Sequence, residues 1–205
     1  MRTVTLQSIL LRAWQRAGND GSDISNIPTG SRTMMVAAAN ERIADCWEWA
    51  DWPELCRVES RTVQGDTTNG FYIDYEQVGE TAMGEVFKVY RDNPATHVSP
   101  REIGYTLLGD AIRFPEATSL PTSVWVRYRI RPETYTTSNL AATVPAVLSK
   151  AVAYLLTSDL LEEDGQLDKA LLMEQKAESE MISQRDKYVF QQGQPTMWTA
   201  RINHY

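Results

Sequence analysis

Apolar positions in the first fifty residues recur at helical spacing. Leu6, Ile9, Leu10, Ala13, Trp14 and Ala17 mark one face of a helix expected over Thr3 to Ala17, with Gly18-Asn19 as its stop. "NDGSDISNIPTG" reads as a loop, and "TMMVAAANERIADCWEWA" as a second helix from about Ser31 that Pro53 ends. From Arg57 the period changes to two. "CRVESRTV" alternates at Val58, Ser60 and Thr62, and "GFYIDYEQV" and "GEVFKVYRD" are rich in strand formers. "IGYTLLGDAIRFP" carries Gly109-Asp110 between two apolar runs, a hairpin signal. In "SVWVRYRIRP", Val124, Val126, Tyr128 and Ile130 take one face, and Trp125, Arg127, Arg129 and Arg131 the other. Residues 132–143 read as a Thr/Ser/Pro linker. Helix is expected again from Val144, with Pro145 in its first turn and Gly165 as C-cap. A fourth helix follows, with Leu167, Leu171, Ala177, Met181 and Tyr188 as its apolar stripe. The pattern predicts an α+β fold: a helical bundle from N- and C-terminal helix pairs (1–56 and 144–190), a strand-rich insert (57–132) and an extended C-terminal arm (191–205).

Charge changes this picture by giving the chain two poles. The net charge is −7, and residues 159–180 hold eight acids and two bases. Residues 113–131 hold four arginines against Glu116 alone. An acidic total argues against tight, sequence-independent DNA binding, while opposite poles suit head-to-tail contact between identical copies. No apolar run reaches the roughly 18 residues that span a bilayer, so no membrane partner is expected. The N-terminal stretch lacks a small-residue cleavage site and does not read as a signal peptide. Cys46 and Cys56 read as intracellular thiols, since two cysteines make no disulfide framework.

Candidate chemistry is thin. His97 and His204 have no cysteine or carboxylate at metal-ligand spacing, and no phosphate-cradling or nucleophile-elbow motif occurs. Glu162-Glu163-Asp164 reads better as a solvated hairpin tip than as catalytic carboxylates, and Cys46 better as a buried thiol than as half of a dyad. No enzyme, metal or cofactor is expected.

Three surfaces invite contact. The first is "RIADCWEWADWPEL", whose three tryptophans cannot share one helical face: Trp49 lies about 200° and Trp52 about 140° round from Trp47. Trp47 joins the core begun at Ile43. Trp49 and Trp52 lie either where bundle and sheet meet, the favoured reading, or in a subunit interface. The second is the row Arg127, Arg129 and Arg131, either a solvent face or a seam for a neighbour's acids. The third is "PTMWTARINHY", a tail folded back on its own chain or a docking arm.

Taken in order, "MMVAAANERIADCWEWADWPEL", "YTLLGDAIRFPEA" leading into "VWVRYRIRP", "VPAVLSKAVAYLLTSDLL" and the charged "MEQKAESEM" helix resemble the head-to-tail adaptor (connector) proteins of tailed bacteriophages, especially the short-tailed type. The resemblance covers most of the chain through loose motifs. It implies a non-enzymatic subunit of a twelve-copy ring in the virion, assembled in the host cytoplasm. Such a ring sits between the portal protein and the tail tube or nozzle, with double-stranded DNA passing through unspecifically. By position, Met197, Trp198, Ile202 and Tyr205 would dock on the portal, and the last two helices would flank the channel. Glu162, Glu163, Asp164, Glu174 and Glu178 are candidates to face that channel, and Arg127, Arg129, Arg131, Trp49 and Trp52 to lie between subunits. Many relatives lack so dense a tryptophan cluster, so the resemblance gives Trp47, Trp49 and Trp52 no role. The alternative is a tail-tube or other virion subunit that does not touch the portal.

Overall fold

Two hydrophobic periods give two kinds of element in this α+β chain. The computed structural model describes residues 2–191, except 67, 69, 110 and 116–118. Strand β1 is Thr3–Thr5, followed by helices α1 (Leu6–Arg16) and α2 (Thr29–Glu48). Seven strands come next: β2 (Cys56–Thr62), β3 (Gln64–Asp66), β4 (Gly70–Asp74), β5 (Met83–Tyr90), β6 (Thr106–Leu108), β7 (Ala111–Phe114) and β8 (Ser123–Ile130). Strand β9 (Thr143–Pro145) and helices α3 (Ala146–Glu163) and α4 (Leu167–Gln191) complete the order. The chain divides into two compact units, one of Met1–Trp52 with Glu133–Tyr205 and one of Pro53–Pro132.

In the helical unit, α1, α2 and α4 all pack on α3. That helix is apolar on nearly every side, as a central helix must be, with Leu148, Ala151, Val152, Ala153 and Leu156 buried. Its buried hydroxyls are satisfied: Thr157 donates to the Ala153 carbonyl (2.7 Å) and Ser158 to that of Ala170 (2.9 Å). Helix α1 buries Leu6, Ile9, Leu10 and Ala13, and α2 buries Met35, Val36, Ala39, Ile43, Cys46 and Trp47. The α3–α4 turn is a Schellman motif. Gly165 N–H donates to Glu162 O (2.9 Å) and Gln166 N–H to Leu161 O (2.8 Å), with Gly165 at φ 72°.

Three sequence expectations change here. Thr3–Thr5 is extended, not helical, and pairs antiparallel with β9 through Val4 opposite Val144. The β-branched triplet suits a strand, and Thr5 then caps α1, its side chain accepting from Ser8 N–H. For the same reason α3 begins at Ala146 rather than Val144. The 132–143 stretch is tied down rather than a bare linker. Leu6 and Gln7 N–H groups donate to the carbonyls of Ala142 and Leu140 (both 2.9 Å), and Asn40 exchanges hydrogen bonds with both backbone groups of Tyr135. Third, α4 turns Ala170 and Ala177 inward, while Leu167 (66% exposed) and Leu171 (55%) face out. Close approach to α3 selects alanine there, which displaces the larger residues from the contact.

The β unit is two antiparallel sheets, β2-β8-β5 and β3-β4-β7-β6. A core of Ile73, Met83, Val86, Val89, Ile112, Phe114, Val124, Val126 and Tyr128 joins residues from both. The β6–β7 hairpin pairs Leu108 with Ala111, and Gly109 next to Leu108 takes φ 63°. Strand β5 is bulged between Met83 and Lys88.

Candidate functional site

The outward face of the β2-β8-β5 sheet is basic and aromatic. The register sets Val58, Arg127 and Lys88 side by side, and next to them Ser60, Trp125 and Tyr90. The β5 irregularity adds Phe87, whose ring lies 5.9 Å from the Arg127 guanidinium and 5.4 Å from that of Arg129. Acids of the same unit answer part of this charge. Arg129, largely buried, pairs with Glu85 at 3.4 Å, Arg131 pairs with Glu76, and Lys88 with Glu102 at 2.5 Å. The Glu102 bond raises the Lys88 pKa. Among the described residues no carboxylate pairs with Arg127, which is exposed. Two of the three arginines in the row are therefore paired within their own chain.

The acidic stretch splits by direction. Arg42 grips Asp159 with two nitrogens (Nε to Oδ2 3.1 Å) and lies 3.6 Å from Asp45. The hydrogen bond to Asp159, with Asp45 and Glu174 nearby, raises the Arg42 pKa. Glu180 lies 3.5 Å from Lys150. Glu174 is thus half-buried beside Arg42. Glu162, Glu163 and Asp164 crown the α3–α4 turn in solvent, and Asp168 and Glu178 are exposed on α4. Along that outward side run Leu167, Leu171, Leu172 and Ile182, all exposed. At about 100° per residue they form one strip with Asp168 and Glu178.

The tryptophans resolve differently from one another. Trp47 is in the core. Trp52 is 1% exposed, and its Nε1–H donates to the Cys46 carbonyl at 2.8 Å, capping an orphan acceptor in the last turn of α2. Trp52 is therefore not available to a neighbouring copy. Trp49 is 37% exposed, stacks on Trp52 with centroids 5.9 Å apart, and carries the Arg185 guanidinium 5.6 Å above its ring. Cys46 and Cys56 are not joined by a disulfide, and burial pushes the Cys46 thiol up to about 12. Met197, Trp198, Ile202 and Tyr205 lie outside the described residues.

A buried polar cluster in the β unit was not anticipated. The fully buried Arg61 places Nη2 2.6 Å from Tyr128 Oη, 2.7 Å from the Thr81 carbonyl and 3.2 Å from Glu59 Oε2, while Nη1 pairs with Glu80. The Tyr128 hydroxyl donates to Glu59 at 2.6 Å. Burial, then this bond, pushes the Tyr128 hydroxyl up to about 12. The sequence signal was available: Glu59 and Arg61 share a strand face with Val63, but alternation at Val58, Ser60 and Thr62 points to the opposite parity. The structure turns that apolar-looking face outward.

A groove of about 190 Å³ in the helical unit is lined by Trp14, Met34, Met35, Leu156 and Leu160 together with Asp159, Glu163 and Asp164. Its chemistry suits an apolar side chain beside a cation. Among the described residues no three His, Cys, Asp or Glu side chains are grouped to hold a metal, and no helix is long and apolar enough to cross a membrane. Neither a protein-family model nor a curated protein matches the chain.

Proposed function

We propose that this chain is a structural subunit of a tailed-phage virion, a head-to-tail adaptor that assembles as a ring between portal and tail. The observation that carries the reading is the order of parts. A helix pair, a compact antiparallel β unit and a second helix pair follow one another in the sequence of the adaptor-like motifs. In this reading the two helix pairs form a bundle, the β unit is its insert, and residues 191–205 are an extended arm that docks on the portal through Met197, Trp198, Ile202 and Tyr205. The outward surfaces, a basic aromatic sheet face and an acidic leucine-bearing helix face, suit contact with proteins better than turnover of a small molecule.

DNA would pass through the ring with little grip. Glu162, Glu163 and Asp164, exposed on the α3–α4 turn, would weakly repel phosphates at a channel wall, within a Debye length of about 8 Å at physiological salt. Electron microscopy of the protein mixed with a tailed-phage portal protein from the same genome tests the reading. The expected result is a ring on the portal that is lost when residues 191–205 are deleted. Binding to tail proteins but not to portal would favour a tail-tube subunit, and binding to neither would refute the proposal.

A further inference from the structure

From these two surfaces we infer that α4 of one copy lies across the β2-β8-β5 sheet of the next, its outward leucine strip on the basic aromatic face. The inference rests on the ring reading above and names the two patches that make its subunit contact. A closed ring needs two different, complementary patches on each copy, and these differ in the way required.

Charge and length both match. The strip carries Leu167, Leu171, Leu172 and Ile182 with Asp168 and Glu178 within an arc of about 140°, while Lys176 and Lys169 lie about 40° and 60° beyond its Leu172 edge. From Leu167 to Ile182 it runs about 22 Å at 1.5 Å per residue. Strand β8, with eight residues, runs about 26 Å at 3.3 Å per residue. The acids Asp168 and Glu178 are about 15 Å apart along the helix. Arg127 and Arg131 are about 13 Å apart along the strand direction. Two acids can therefore meet two arginines in one register, with leucines over Phe87, Trp125 and Val58.

The sheet face is poised for such an exchange. Arg127 has no acid partner among the described residues, and the Arg131–Glu76 pair is exposed on both sides. Exposed pairs of this kind contribute little, so trading Glu76 for a neighbour's carboxylate has a low barrier. The charges would fix register and orientation, and the apolar strip would supply most of the affinity.

The test is a charge exchange in the full-length chain, with assembly followed by mass photometry and sedimentation velocity, alone and with portal. Arg127→Glu and Glu178→Arg lie at exposed positions, and circular dichroism and melting temperature check that each variant folds. Each single variant is expected to weaken assembly at least tenfold. The double variant, and an equal mixture of the two single variants, are expected to restore it, because every junction then joins opposite charges. Rings that form as well from either single variant as from the wild type, or single defects that neither combination rescues, would overturn the inference and leave the ring reading standing. A wild-type chain that never associates, even with portal, would overturn both. Single variants that assemble normally but lose a tail protein would assign the sheet face to that partner instead and would also overturn it.

Discussion

Arg61 is the residue whose surroundings dictate the most. Its guanidinium is fully buried, while its partners Glu59 and Glu80 keep contact with water. The two sides of the pair should therefore respond unequally. Glu80→Ala leaves a buried cation short of a counter-charge and is expected to destabilise the β unit by about 3 kcal/mol. Arg61→Met removes the cation, lets the acids rehydrate and fills similar volume, with an expected loss of about 1 kcal/mol. Urea unfolding of both variants checks the order, and an equal or reversed ranking would refute the account. Alkali reads the buried acids in the same way. Cys46, Tyr128 and Tyr135 each have folded values of about 12, above their ordinary 9.0 and 10.0. The unfolded chain releases those protons first, so their contribution is complete below about pH 9 and is lost as pH rises toward 12. The urea midpoint is expected to be level up to pH 9 and to fall above it, and Tyr128→Phe should flatten part of the fall. A midpoint that stays level through pH 11 would contradict this.

At the scale of elements, the α3–α4 hairpin shows what short-range chemistry decides. Gly165 sits at φ 72° with open space where a Cβ would point, so only the backbone conformation opposes a side chain there. Gly165→Ala is expected to cost about 1 kcal/mol, and Gly165→Asn less, in thermal unfolding. Ala177→Leu is a different perturbation: it forces volume between α3 and α4 and should cost about 1–3 kcal/mol. These elements also mark how far sequence alone reaches. The long helices, the β8 alternation and the Gly109 hairpin were legible, because a period or a turn residue stated each one. The β1–β9 pair was not, since three residues show no period and their partner lies about 140 positions away. The α4 stripe was misread because hydrophobicity favours leucine, whereas close approach to α3 selects Ala170 and Ala177. Likewise, the sequence leaves Trp52 between a junction and an interface, because nothing in it reveals that the indole turns back to cap α2. The leucines left outside α4 and the basic sheet face became candidates for contact only once burial separated them from the core.

The whole molecule is a discontinuous helical unit interrupted by a continuous β unit bounded by Pro53 and Pro132. The consequence for folding is asymmetric. Every residue of the β core, from Ile73 to Tyr128, lies inside that one segment, as do Arg61 and all of its partners. The helical unit instead requires α1 and α2 to meet α3 across the whole insert, and its β1–β9 pair closes a loop of about 140 residues. Loop-closure entropy grows only slowly with length, so the insertion is thermodynamically tolerable, but it slows formation of the helical unit. Residues 53–132 expressed alone are therefore expected to fold, with a strand-type circular dichroism spectrum and dispersed amide resonances. Their Glu80→Ala variant should lose stability by the same amount as in the full chain. The helical remainder should regain its fold when a short Gly/Ser linker replaces 53–132, and should refold faster than the parent because that loop is shorter. An isolated segment that stays unfolded would mean that the two units stabilise each other. The β unit would then be an integral part of the subunit core and not an insert presenting a surface to its neighbour.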